Sequence, residues 1–239
     1  MLIGKVFSDP HGQLPIITET FDLLLICGDI TPADWAHSHN INAQKRWLFR
    51  EFKEWVDKLP FRDEWSKVFI IPGNHDHVFE NLNPYVKDDY QKKMGDRVEI
   101  LIHEEKVFEC LDELKGLREV RIFGTPYCKV FGRWAFMKDD DYLTELYNQI
   151  PDGLDILITH DPPALNELGV IHEGMQKGRE AGNEILAKRL LEIKPKYVFG
   201  GHIHSGNHKY EEYEGMMMAN VSLVNERYMP VNDVLTFGF

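Results

Sequence analysis

Five short stretches between residues 9 and 204 each end an apolar run with residue types that bind metals. They are Asp9-Pro10-His11, Gly28-Asp29, Gly73-Asn74-His75-Asp76, Thr159-His160 and Gly201-His202-Ile203-His204. Together they offer Asp9, His11, Asp29, Asn74, His160, His202 and His204, a set of imidazoles, carboxylates and one amide with no thiolate. That mixture suits borderline-to-hard divalent ions, Mn²⁺ first, with Fe, Zn²⁺ or Mg²⁺ as other fits. Two such ions roughly 3.5–4 Å apart are a recurrent device for in-line displacement at phosphorus, because they hold attacking and leaving oxygens together. Each stretch alone is a weak signal. Five of them, each directly after an apolar run, point to phosphoester hydrolysis at a binuclear centre.

Short apolar runs at residues 2–7, 23–27, 68–71, 98–102, 121–123, 156–158 and 197–199 read as strands buried on both faces. Residues 44–59 carry Leu48, Phe52, Trp55 and Leu59 at helical spacing with charges opposite, so the spacing predicts an amphipathic helix. Residues 181–193 carry a similar stripe that stops before Pro195. Alternating strands and helices predict an α/β layer structure whose functional loops gather at the carboxyl ends of strands. Every nominated ligand falls there. No repeat or low-complexity linker interrupts the chain, so residues 1–239 are expected to form one domain. The least regular stretch, 124–141, reads as a hairpin or as a loop over the site.

Composition narrows the partners. A hydrophobic share of 43% supports a sizeable core, and the net charge of −12 argues against a nucleic-acid polymer as partner. A small anionic phosphoester remains compatible, since two divalent cations make a cleft locally positive. Cys27, Cys110 and Cys128 are dispersed and odd in number, which fits buried free thiols in a reducing compartment. The chain enters its first strand within a few residues, and no apolar run approaches the ~18–20 residues of a membrane helix. A cytoplasmic protein is the expectation.

The order of these motifs resembles the calcineurin-like metallophosphoesterase superfamily, whose pattern runs D-x-H, G-D, G-N-H-[DE], a lone His after a strand, and G-H-x-H. Phe123-Gly124-Thr125-Pro126-Tyr127, Thr159-His160-Asp161-Pro162-Pro163 and Asn220-Val221-Ser222 are similar to the metallophosphoesterase-domain-containing branch, related to class III cyclic-nucleotide phosphodiesterases. The resemblance implies a four-layer α/β/β/α sandwich of two mixed sheets. It implies one ion held by Asp9, His11 and His204, a second by Asn74, His160 and His202, and Asp29 bridging them. A bridging hydroxide would be the nucleophile, and His75 would stabilise the phosphoryl charge or protonate the leaving oxygen. Asp76 would orient His75, or would simply stabilise a turn. The alternation in His202-Ile203-His204 would send both rings along one strand-like face. The substrate implied is a small phosphodiester such as a cyclic nucleotide. A phosphomonoesterase, or a regulatory scaffold that keeps the fold, is the rival.

Other residues have plainer readings. His77, His103 and His172 belong to no motif and read as surface residues, and Met216, Met217 and Met218 as core filler. Trp35, His37 and His39 are equally rim or surface. His208 follows the last motif and reads mainly as outside the site, and residues 138–141 as a solvated turn or helix start.

Overall fold

The computed structural model describes residues 2–112 and 116–238; Met1 and Phe239 of the expected domain lie outside the described residues. Strands β1 (Ile3–Phe7), β2 (Leu23–Cys27), β3 (Lys67–Ile71) and β4 (Val98–Ile100) run parallel, and β13 (Leu235–Gly238) closes the sheet antiparallel to β1. The second sheet has the order β11 (Glu211–Tyr213), β12 (Met216–Asn220), β10 (Tyr197–Gly200), β9 (Ile156–Thr159), β6 (Gly116–Thr125), β5 (Glu104–Asp112). Its two outer strands are antiparallel to their neighbours and the inner four parallel, so both sheets are mixed.

Strand β2 shows why the layers form. All five of its side chains are buried, and the period of two divides them between two cores. Leu24 and Ile26 pack with Leu48, Phe52 and Val56 of the first helical layer, whereas Leu23, Leu25 and Cys27 meet Ile122, Ile156, Ile158 and Phe199 of the other sheet. On the far side, Leu157, Val198, Met216 and Met218 pack against Leu143, Leu146, Leu186 and Leu190. The result is the α/β/β/α sandwich.

The first helical layer starts earlier than the apolar stripe suggests. Asn40 caps α1 (Ile41–Trp47) by accepting from the Ala43 amide, and a π-helical turn (Leu48–Phe52) leads into α2 (Lys53–Asp57). The layer also contains α3 (Pro84–Met94), capped by Asn83 with Pro84 at its first position. On the other face Asp139 caps α4 (Asp140–Tyr147), so the acidic run is a helix start. The helix expected over 181–193 begins later, as α5 (Glu184–Ile193), because the Asn183 side chain takes the Ile185 and Leu186 amides.

The irregular stretch is a loop over the site, framed by the two-residue parallel ladder of β7 (Cys128–Lys129) and β8 (Met137–Lys138). All three cysteines are buried, and among the described residues none is joined to another in a disulfide. Among the described residues, no helix is long and apolar enough to cross a membrane.

His103 corrects the surface reading. Its Nε2 donates to the Leu146 carbonyl at 3.0 Å and its Nδ1 accepts from the Thr125 hydroxyl at 3.1 Å, which ties β6 to α4. Burial, against that one carbonyl bond, pulls the ring from 6.5 down to about 4. The folded state therefore binds fewer protons than the unfolded chain between those values. The His103 contribution is complete above pH 6.5 and is lost as pH falls towards 4. His103→Gln should flatten the stability profile across that window, which urea midpoints at pH 7 and pH 5 for both proteins will test. His77 is also half-buried, its ring 4.4 Å from that of His39, and so is His172.

Candidate metal centre

The parallel strands of both sheets deliver their carboxyl ends to one place. Asp9 and His11 follow β1, Asp29 follows β2, Asn74 and His75 follow β3, His160 follows β9, and His202 and His204 follow β10. Four of these residues hold their backbones in the left-handed region: Asp9 (φ 53°), His11 (44°), Asp29 (52°) and His202 (67°). Such conformations cost free energy for residues other than glycine and collect at functional sites. The flanking glycines are needed because backbone comes too close for a side chain. A Cβ on Gly73 would lie 2.2 Å from Asp29 Oδ1, and one on Gly201 would lie 2.4 Å from Asp9 Oδ2.

Asp9, His11, Asp29 and His204 form one cluster, their ligand atoms all within 4.8 Å of one another. His11 Nε2 stands 3.1 Å from His204 Nε2 and 3.7 Å from Asp29 Oδ2. Asp9 Oδ1 lies 3.7 Å from His204 Nε2, and its carboxylate also accepts the His202 amide, which joins the two sheets. The second group meets the other oxygen of Asp29. His160 Nε2 lies 3.5 Å from Asp29 Oδ1 and 2.9 Å from Asn74 Oδ1, with the His202 ring 5.0 Å from the His160 ring.

Both groups have the chemistry of a cation site. Asp9 and Asp29 are buried, and among the described residues no Lys or Arg pairs with either; their ion partners are histidines. His160 is more specific still. Its Nδ1–H donates to the Cys27 carbonyl at 3.0 Å, so in the neutral ring Nε2 is a lone pair facing two acceptor oxygens. A proton or a metal ion has to stand among those three acceptors. Without a metal, Asp29 and its hydrogen bond raise His160 to about 10 against the opposing effect of burial. Burial pushes the Asp9 carboxyl up, but contact with His204 and the charge of His160 outweigh it and hold it at about 2. His11 falls to about 4 and His202 to about 3, in both cases chiefly through burial. His11 and His202 are thus neutral imidazoles beside ionised carboxylates, the state that metal ligation requires, whereas His160 would give up its proton to a metal.

Residues 202–204 form a bend after β10 and not a strand-like alternation. The left-handed turn at His202 separates the two rings, sending His204 to within 5.0 Å of His11 and His202 to the His160 side.

His75 joins the cluster without joining either group. Its amide donates to Asp29 Oδ1 at 2.7 Å, its Nε2 lies 4.0 Å from Asp29 Oδ2, and its buried Nδ1 has no hydrogen-bond partner among the described residues. The Trp134 ring covers it at 4.3 Å. Among the described residues, Asp76 directs its hydrogen bonds elsewhere than to that ring. It is buried and accepts from the amides of Ile30 (3.0 Å), Thr31 (2.8 Å) and Gly73 (2.8 Å) and from the Thr31 hydroxyl (2.7 Å). It therefore clasps the Asp29 loop to the Asn74 loop. Burial and the charge of Asp29 raise its carboxyl to about 6. Asp76→Ala would strand three buried amides at ~1–3 kcal/mol each, so a loss of about 3 kcal/mol or more is expected in denaturant unfolding.

Sequence reasoning assigned no role to several neighbours. Gln44 donates to the His75 carbonyl and accepts from the Val78 amide, fixing the third motif from α1; a glutamine on an otherwise apolar helical stripe was its signal. Asp161 is buried and accepts from Lys129 N and Asn183 Nδ2, holding the covering loop. Trp134 and Tyr228 carried no readable signal. Among the rim residues, His39 stacks on Trp134 at 4.7 Å, Trp35 is almost fully exposed, and His37 bonds Asp34. His208 donates from Nε2 to the Asp233 carbonyl.

Two mixed sheets between helices, with Asp, His and Asn converging where the strands end, define a metallophosphoesterase-fold protein. The chain belongs to the calcineurin-like phosphoesterase family, whose model matches residues 5–206. It is 28% identical to metallophosphoesterase domain-containing protein 1 of Homo sapiens, over 94% of this chain and 67% of that protein. A UPF0046 protein of Caenorhabditis elegans is 28% identical over 77% of this chain and 46% of its own length. The fold is also that of a phosphopantetheinyl hydrolase from Mycobacterium tuberculosis, with a TM-score of 0.54, 15% identity and coverage of 94% and 90% of the two chains. The family is metal-dependent, and the four residues clustered at Asp9 could hold an ion.

Proposed function

We propose that this chain is a phosphodiesterase that acts on a small diester, a cyclic nucleotide being the first to test, with two divalent ions of which Mn²⁺ fits best. Asp9, His11 and His204 would hold one ion, Asn74, His160 and His202 the other, with Asp29 shared. The observation that carries the reading is the placement of Asp29, whose Oδ2 faces His11 and whose Oδ1 faces His160. When bound, the ions supply Lewis acidity and a nucleophile at neutral pH. The chain's own groups do the rest. Cys27 O fixes the His160 tautomer, Asp76 and Gln44 hold the loops, and His75 faces the centre with Nε2, ready to meet phosphoryl charge or a leaving oxygen.

A diester is favoured over a monoester by the walls. The cavity of about 620 Å³ beside His202 includes Lys129 and Arg179, but Lys129 is already paired with Glu184 at 2.6 Å. Arg179 shares that wall with Asp161, Glu180, Glu184 and Glu226, and the acidic surround weakens its hold on a dianion. Buried Cys27 and Cys128 outside any disulfide are consistent with a cytoplasmic, reducing setting. The experiment is a panel of cyclic nucleotides, phosphate monoesters and nitrophenyl diesters assayed with Mn²⁺, Fe²⁺, Zn²⁺ or Mg²⁺. Turnover should vanish with a chelator and return with one of these ions. Turnover that survives metal removal would reject the centre, and faster turnover of monoesters would reject the diester preference.

A further inference from the structure

A second cavity, of about 300 Å³, touches the centre at His11 and is lined by His11, Gln13, Ala33, Asp34 and Tyr228. Tyr228 belongs to no motif, yet its ring is packed edge-on against His11 at 4.7 Å and His204 at 5.2 Å, with His75 at 6.3 Å. It reaches them from a turn that is fixed at several points. Asn225 Oδ1 accepts from the amides of Arg227 and Met229, the Tyr228 amide donates to the Asn225 carbonyl, and Gln13 Nε2 donates to the Tyr228 carbonyl at 2.6 Å. Inside that turn Tyr228 sits at φ 58°, a left-handed conformation costly for a bulky side chain. An aromatic residue held under strain, half in solvent, with its ring against two nominated ligands is a reason to look for function.

The cavity's chemistry limits what it takes. Among the described residues Asp34 is its one acidic wall, Gln13 offers an amide oxygen, and no Lys or Arg lines it. Acceptors without cations suit a neutral, hydroxyl-bearing group and repel a free phosphate. The larger cavity touches the centre at His202, on the side of the other donor group. Two rooms opening on one centre fit a phosphorus that carries two separate arms. A cyclic diester, whose two ester oxygens share one ring, would need only one.

We propose that the cavity at His11 and Tyr228 receives one arm, a neutral hydroxylated alcohol, of a linear phosphodiester, and that Tyr228 biases the site towards such substrates. The inference rests on the phosphodiesterase reading and narrows it. The reaction consumes one water, breaks one phosphorus–oxygen bond, passes a proton to the departing oxygen, and leaves a monoester and an alcohol.

The test compares three substrates on the full chain with metal content verified: thymidine 5′-(p-nitrophenyl phosphate) as linear diester, p-nitrophenyl phosphate as monoester, and 3′,5′-cyclic AMP. Tyr228→Ala should lower the ratio of kcat/KM for linear diester over monoester about tenfold, mainly through KM. Ala33→Phe fills the cavity with Tyr228 left in the sequence and should shift the ratio the same way. The linear diester should also outrun cyclic AMP on the unmodified protein. Equal losses on all three substrates, an unchanged ratio in both variants, or preference for cyclic AMP would overturn the proposal. If the unmodified protein turns over none of them with any ion and does not bind inorganic phosphate, the phosphodiesterase reading itself falls, and the subsite with it.

Discussion

Asp29→Ala should remove both ions and reduce phosphoester hydrolysis by more than about 10³-fold, the largest effect of any single change, because a metal centre contributes several kcal/mol to the transition state. The carboxylate divides its oxygens between the His11 side and the His160 side, so its loss weakens both groups together. Its Oδ1 also accepts the His75 amide at 2.7 Å, and alanine would leave that donor without a partner. Asp29→Asn separates these effects. Asparagine tolerates the left-handed backbone that Asp29 adopts and can still accept the amide, but it brings no charge. The asparagine variant should fold and still lose metal, as read by elemental analysis and calorimetric titration with Mn²⁺. Full activity of either variant at low free metal would reject a shared carboxylate.

His75→Ala should keep two ions yet lose turnover by roughly 10²–10⁴-fold, the usual range for an acid–base or charge-stabilising group. His75 meets the centre through its amide bond, the 4.0 Å approach of Nε2 to Asp29 and an edge-on ring contact with His11 at 4.9 Å, and it belongs to neither donor group, so metal content should survive its removal. The leaving group then distinguishes the two roles. An alkoxide, as in a nucleotide ester, needs a proton, whereas nitrophenolate scarcely does. A larger loss on the nucleotide ester assigns His75 as the acid. Equal losses would leave charge stabilisation, and a variant that sheds metal would exclude both.

The nominated ligands stood out in the sequence because each follows a strand, and strands buried on both faces are legible as unbroken apolar runs such as Leu23 to Cys27. The layers stood out for the same reason. The sequence hid α3, whose start depends on the cap Asn83, left the start of α4 at Asp139 open between a turn and a helix, and hid β12, where three methionines carry no alternation to read. The edge strands β11 and β13 are short and find their places only by pairing with β12 and β1. Within the site, adjacency in sequence misled. Asp76 follows His75 but bonds across to Ile30 and Thr31, and His202 and His204 part company at a bend. Tyr228 and Trp134 became visible only when distant turns were brought together around His11 and His75.

The left-handed backbones at Asp9, His11, Asp29 and His202 bear on the life of the protein in a cell as well as on its chemistry. Each costs on the order of 1 kcal/mol when nothing compensates. A ligand that binds only the folded state offsets such a cost by mass action. Nutritional metal status would thereby set how long each molecule lasts, because starved chains would open more often to proteolysis and be cleared sooner. Pulse-chase half-lives in chelator-treated and metal-replete cells give the measure, and equal half-lives would dismiss the link. Where the link holds, abundance becomes a slow record of past metal supply, while catalytic rate reports only the present one.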